Sequence, residues 1–190
     1  TYGCTGWDYP RAGHKTVGDW QAALGINIRA QHLFWYSMAG EAKRDYPAAI
    51  SHQSPWWESY ALVEDYFARV HAAMTKGAEV RDLLVIHPVE STYLMVRKGW
   101  LGDAGVYEFN NKLVALRDTL LSHHIDFDYA SEEPLSRHGK VRVKNGKAEL
   151  VVGKAVYRAV LLPSMTTIRK STLDLLAKFR KAGGQVVFAG

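Results

Sequence analysis

The chain has 190 residues, 47% hydrophobic and 23% charged, with a formal net charge of +5 and a pI of about 9.3. This is ordinary globular composition: no run reaches the roughly 18 apolar residues of a membrane helix, and the basic residues are spread without a nucleic-acid motif. The one cysteine, Cys4, excludes an internal disulfide and a Cys-based zinc site.

Tyr2–Trp7 is rich in small residues and reads as a loop. Thr16–Leu24 follows as a short helix with Trp20 and Leu24 on one face, and Gly25 fits the residue just past its end. Ile26–Trp35 is a candidate strand. Ser54-Pro55 then opens a stronger helix, Ser as N-cap and Pro at the first helical position. Its apolar face is Tyr60, Val63, Phe67, Val70 and Met74, and Gly77 stops it.

After Gly77 the pattern changes. Asp82–Ile86 is a continuous apolar run of the buried, parallel-strand type. Val106–His124 is a helix carrying Phe109, Leu113, Leu116 and Leu120 on one side, and Ile125–Tyr129 is a second strand. Lys140–Val152 is a hairpin around Asn145-Gly146, which suits a type I′ turn. Ala159–Pro163 is a third strand. Ser171–Ala182 is a helix with Asp174 placed for a capping box, and Gln185–Ala189 is a fourth strand. The expected organisation is an α/β chain divided near Gly77–Arg81. Its second part, residues 81–190, is an open parallel sheet of flavodoxin-like or Rossmann-like layout that stops after a core strand and reads as cut.

That sheet lacks the usual ligand signatures. Its first strand leads into His87-Pro88-Val89-Glu90-Ser91-Thr92, with neither the dinucleotide-binding glycine fingerprint nor a phosphate-binding P-loop. A strand-to-helix nucleophile elbow would need a cysteine that this part does not have. No HxxxH or HExxH spacing occurs, and His123-His124 falls where a cation favours the helix dipole. The expectation is therefore no cofactor and no metal, with packing or oligomerisation as the role of this part.

The chemistry concentrates between Gly25 and Trp57. His32, Trp35 and Tyr36 are followed by the charged turn Glu41-Ala42-Lys43-Arg44-Asp45 and by Trp56-Trp57. Aromatic faces mixed with carboxylates, guanidinium and imidazole make a poor core. They suit a sugar, which offers an apolar C–H face and a rim of hydroxyls. Trp7, Trp35, Trp56 and Trp57 divide between core packing and stacking on a pyranose ring. His32 is either a satisfied, half-buried histidine or a donor to a sugar hydroxyl. Glu41, Arg44 and Asp45 are either solvated or take part in sugar recognition, with a carboxylate accepting from a hydroxyl and Arg44 orienting it. Asp8 flanks Trp7 in the same kind of loop. The expected substrate-contact set is Trp7, Asp8, His32, Tyr36, Arg44, Asp45 and Trp57. No pair of carboxylates is placed by spacing for glycosidase chemistry.

The succession GDWQAALGINIRAQHLFWYS, QSPWW, ARVHAAMTKG and DLLVIHPVES resembles large bacterial glycoside hydrolases related to the family 106 α-L-rhamnosidases. YRAVLLPSMTTIRKSTLDLLAKFRKAGGQVVFAG is similar to the flavodoxin-like domain that follows the barrel in those enzymes and in related β-galactosidases. The resemblance implies that residues 1–80 are the last part of a (β/α)₈ barrel with Ile26–Trp35 as its final strand. The Trp7 and His32 loops would then lie at its C-terminal face. It places the catalytic glutamate upstream of Thr1, matches His32 to a family histidine, and makes this piece alone inactive. The segment SMAGEAKRDYPAAISHQSPWW is longer and more charged than the family's loop. The expected partners are a carbohydrate and either a second copy or the rest of the same polypeptide, with no nucleic acid and no membrane. Two rivals stand beside this reading: a non-catalytic binding or oligomerisation module, and a free-standing α/β enzyme of another class.

Overall fold

The structure is a computed structural model that describes residues 7–32, 36–37, 39–40 and 50–189. They divide into two compact units, the division falling between Ala78 and Glu79.

The first unit holds two helices, α1 (Arg11–Ala23) and α2 (Ala61–Met74). Helix α1 starts five residues before the expected Thr16. It ends as expected: Gly25 takes φ 93°, and the amides of Gly25 and Ile26 return to the carbonyls of Ala22 and Gln21. This is a Schellman closure, which needs a residue free to adopt positive φ. Helix α2 begins later than the Ser54-Pro55 signal. Those residues lie in turns, a short 3₁₀ segment spans Trp57–Ser59, and the regular helix starts at Ala61. Tyr60, Val63 and Phe67 form the buried stripe that meets α1, with Ile50, Tyr66 and Val70 at its margin. Residues 26–32 form no β-ladder, because no partner strand lies beside them among the described residues. Their burial nevertheless alternates: Arg29 and Gln31 turn inward while Ile28, Ala30 and His32 are exposed. Residues 33–35 of the expected strand lie outside the described set.

The second unit is mixed α/β. Its elements run β1 (Leu83–Ile86), α3 (Val89–Met95), α4 (Ala104–Ser122), β2 (Phe127–Ala130), α5 (Glu132–His138), β3 (Gly139–Lys144), β4 (Lys147–Val152), β5 (Ala155–Tyr157), β6 (Ala159–Pro163), α6 (Lys170–Lys181) and β7 (Gln185–Ala189). Strands β2-β1-β6-β7 make an all-parallel sheet, and β3-β4-β5 an antiparallel one. The central strands are apolar throughout because both faces are covered. Leu84 and Ile86 of β1 and Val160 and Leu162 of β6 pack with Leu150, Tyr157, Leu176 and Phe179. The alternate residues Val85 and Leu161 meet Leu116 and Leu120 of α4 on the opposite face. At the outer strand β7, Val187 and Phe188 stay exposed, Phe188 to 74%.

Local chemistry explains the connections. Asp103 caps α4, its Oδ1 accepting from the amide of Gly105 at 2.9 Å. Asn145 and Gly146 both adopt positive φ, 51° and 73°, as a type I′ hairpin requires. The expected capping box at Ser171 and Asp174 is absent. Helix α6 starts at Lys170, and Asp174 pairs with the Lys170 ammonium instead. The acceptor for the backbone amide of the N-cap residue Arg169 is the buried Glu132, at 2.7 Å. A carboxylate 37 residues earlier in the chain thus does the work the capping box assigns to a near neighbour.

Candidate functional site

A polar cluster, buried at His14 and Tyr60 and open at Glu64, lies beside residues expected from the sequence to contact a sugar. His14, on α1, is 1% exposed. Its ring lies edge-on to Tyr9 at 4.6 Å and to Tyr60 at 5.4 Å between centroids. Gln31 donates to the Tyr60 hydroxyl at 2.8 Å and to Glu64 Oε1 at 2.7 Å. Arg29 reaches the same Glu64 oxygen at 2.5 Å. Its guanidinium also lies 4.0 Å over the Phe67 ring, so its charge is both paired and stacked.

The cluster sets its own protonation. Burial, and then the positive charge of Arg29, push His14 down to about 4, so the ring is neutral near pH 7. Burial, and then the hydrogen bond and charge of Glu64, raise the Tyr60 hydroxyl well above the usual tyrosine range. The Arg29–Glu64 ion pair therefore stands beside a neutral His14 ring.

Five of the seven sequence-predicted contact residues fall in the described set; Arg44 and Asp45, like Glu41, lie outside it. Trp7 is half-buried, and Asp8, His32, Tyr36 and Trp57 are exposed, Tyr36 to 98%. Four of the five stand within three residues of a cluster member. Trp7 and Asp8 precede Tyr9, His32 follows Gln31, and Trp57 comes three before Tyr60. The aromatic contacts and hydrogen bonds among Tyr9, His14, Tyr60, Gln31 and Glu64 thus tie together the three segments that carry those four. Tyr36 sits further along, where its carbonyl accepts from Gln53 at 3.5 Å. A concavity of about 450 Å³ between α1 and α2, lined by Arg11, Lys15, Tyr66 and Arg69 among others, includes none of the predicted residues.

Sequence reasoning missed the supporting layer of His14, Arg29, Tyr60 and Glu64 as a unit. One signal was available: Tyr60, Glu64 and Phe67 share a helical face, which puts a carboxylate in an otherwise apolar stripe.

In the second unit, the crevice at the carboxyl ends of β1 and β6 is where open parallel sheets bind ligands, since the strand order turns there. Here helix α3, which follows β1, binds the loop that follows β6. Ser91, wholly buried, accepts from the amides of Thr166 at 3.0 Å and Thr167 at 3.2 Å, and its hydroxyl donates to the Thr167 carbonyl at 3.3 Å. Arg169 pairs with Glu90. His87 lies edge-on to Tyr129. The residues a rival enzyme would need at this edge are thereby engaged in structure. Ser91→Ala is expected to remove the acceptor of two backbone N–H groups and to cost about 1–3 kcal/mol, measurable as a shift in the urea midpoint with unchanged slope. Among the described residues no group of three His, Cys, Asp or Glu could hold a metal. His123 Nδ1 instead lies 2.8 Å from the Thr119 carbonyl, the place of a helix-end donor. No helix among the described residues is long and apolar enough to cross a membrane.

No protein-family model matches the chain, and no solved structure matches it. Among curated proteins it is 26% identical, over 192 aligned residues, to a Formosa agariphila protein named "Putative beta-glucuronidase". The alignment covers 97% of this chain and 14% of that protein. The similarity gives no support for family 106 rhamnosidases.

Proposed function

We propose that the chain is part of a glycoside hydrolase that cleaves glycosidic bonds by two-carboxylate chemistry, and that it supplies substrate-contact residues. The observation that carries this is the similarity to the glucuronidase-named relative, which runs across both units.

The geometry supports the same reading. In a barrel strand, alternate side chains face the lumen and the outer helices. Arg29 and Gln31 face α2, so Ile28, Ala30 and His32 belong to the lumen side. Of these His32 lies furthest toward the C-terminal face, where such barrels bind their ligands. The exposure of Ile28, 78%, fits a face covered by other strands of a closed barrel. Residues 1–80 are then the closing part of the barrel. Residues 81–190 are a flavodoxin-like domain, a reading supported by an order β2-β1-β6-β7 that matches the first four positions of the 2-1-3-4-5 arrangement. In the mechanism His32 donates to a hydroxyl of the bound sugar, and Trp7 and Trp57 offer aromatic faces to the ring. Asp8, Tyr36, Arg44 and Asp45 complete the rim. The reacting carboxylates come from other barrel strands.

The test is hydrolysis of aryl glycosides by the full-length polypeptide carrying these residues. A β-glucuronide is expected to be cleaved ahead of an α-L-rhamnoside, and His32→Ala is expected to lower kcat/KM by about tenfold or more, the worth of one lost sugar hydrogen bond. Failure to cleave any glycoside would overturn the reading.

The alternative role, docking or oligomerisation through the α/β unit, has its own observation. Tyr93, Leu94 and Leu101 expose apolar surface within one short stretch. Light scattering that gives a monomer at all concentrations would count against it.

A further inference from the structure

Among the described residues, the segment 26–32 is held against α2 by side-chain contacts and not by a ladder. Those contacts converge on one oxygen. Glu64 Oε1 accepts from Arg29 at 2.5 Å and from Gln31 at 2.7 Å. The two donors are separated by one residue, so on extended backbone they share a face. A carboxylate that holds both at once specifies which face turns toward α2. The Arg29 side chain, 3% exposed and stacked over Phe67, cannot leave without stranding its charge. Gln31 gains a second anchor at Tyr60. His32 follows immediately, on the opposite face. A slip of one residue would turn His32 toward the helix and Gln31 toward the ligand.

We propose that Glu64 is a positioning residue: with Arg29 and Gln31 it fixes the register that aims His32 at the saccharide. The inference rests on the reading of His32 as a sugar contact. Glu64 touches no substrate and acts only through His32.

The experiment compares Glu64→Leu, Glu64→Gln, His32→Ala and the double variant His32→Ala/Glu64→Leu in the full-length polypeptide, on an aryl β-glucuronide. Glu64→Leu is expected to raise KM about tenfold with kcat within about twofold, the signature of lost binding shared by ground and transition state. Glu64→Gln keeps an oxygen that can accept from both donors and is expected to restore most of the KM. The double variant is expected to match His32→Ala alone, because two residues acting through one contact are not additive. A merely structural Glu64 would lower the active fraction, hence apparent kcat, and leave KM unchanged. That outcome overturns the proposal, as do additive effects in the double variant. If His32→Ala itself leaves KM unchanged, the reading of the site falls together with this one. A silent Glu64→Leu beside a damaging His32→Ala removes only the positioning role. Should Glu64→Leu fail to fold, Gln31→Leu, which removes one of the two donors the carboxylate holds, decides: a raised KM supports the proposal, and an unchanged KM overturns the positioning role.

Discussion

Phe67→Ala is expected to cost the first unit about 3–5 kcal/mol, the range for deleting a fully buried aromatic ring. Phe67 is 1% exposed and sits at the contact of α1 and α2. It also carries the Arg29 guanidinium on its face and the Tyr66 ring edge-on at 5.0 Å. Its removal therefore empties a cavity and unseats a buried charge together. Hydrogen exchange should show amides of α1 and α2 losing protection while those of α6 keep theirs. Equal loss in both units would mean that Phe67 does not act locally. A companion substitution gives a sign test. Gly18, inside α1, would normally favour alanine by about 1 kcal/mol. Here a Cβ at Gly18 would lie 2.1 Å from the Phe67 ring. Overpacking of about 1–3 kcal/mol should outweigh the helix preference, so Gly18→Ala is expected to destabilise.

Acidification should loosen the same unit. His14 titrates near 4 in the folded chain against 6.5 when unfolded. Above 6.5 both states hold it neutral and the contribution is complete. Between 6.5 and 4 the unfolded chain binds a proton that the folded chain refuses, so stability falls as pH falls. Below 4 this group adds no further slope. Over that window of about 2.5 units the loss is about 3 kcal/mol. His14→Phe keeps an aromatic ring between Tyr9 and Tyr60 and removes the titration. Urea denaturation at pH 7 and pH 4.5 should show a smaller pH dependence in the variant than in the parent. Equal slopes would assign the acid sensitivity to other groups.

Much of the second unit was legible because its central strands have two covered faces and its helices and turns carry clear end signals. Ala159–Pro163 and Gln185–Ala189 carry the expected boundaries, and Asn145-Gly146 makes the expected turn. The missed elements are those whose burial is thin. Helix α5 has seven residues, includes Pro134, and buries only Glu132 and Leu135. Strand β5 has three residues. In the first unit the early start of α1 was hidden by the polar Arg11 and Lys15, and Ser54-Pro55 signalled a turn rather than a regular helix start. Residues 26–32 invert the usual rule: Ile26 and Ile28 face outward while Arg29 and Gln31 face α2. Hydrophobicity alone would turn the isoleucines inward, whereas the hydrogen bonds to Glu64 turn Arg29 and Gln31 toward α2. The polar cluster of the first unit was not legible, since it joins residues as far apart as Tyr9 and Glu64 through contacts with no spacing rule.

Strand β7 has a practical consequence. Its sequence, Gln-Val-Val-Phe-Ala, contains no lysine, glutamate or proline to discourage edge pairing. A short uncharged segment rich in β-branched and aromatic residues is the pattern from which stacked intermolecular sheets nucleate. The chain produced by itself should therefore be handled dilute and cold, and a lysine at Phe188 is the first gatekeeper to introduce.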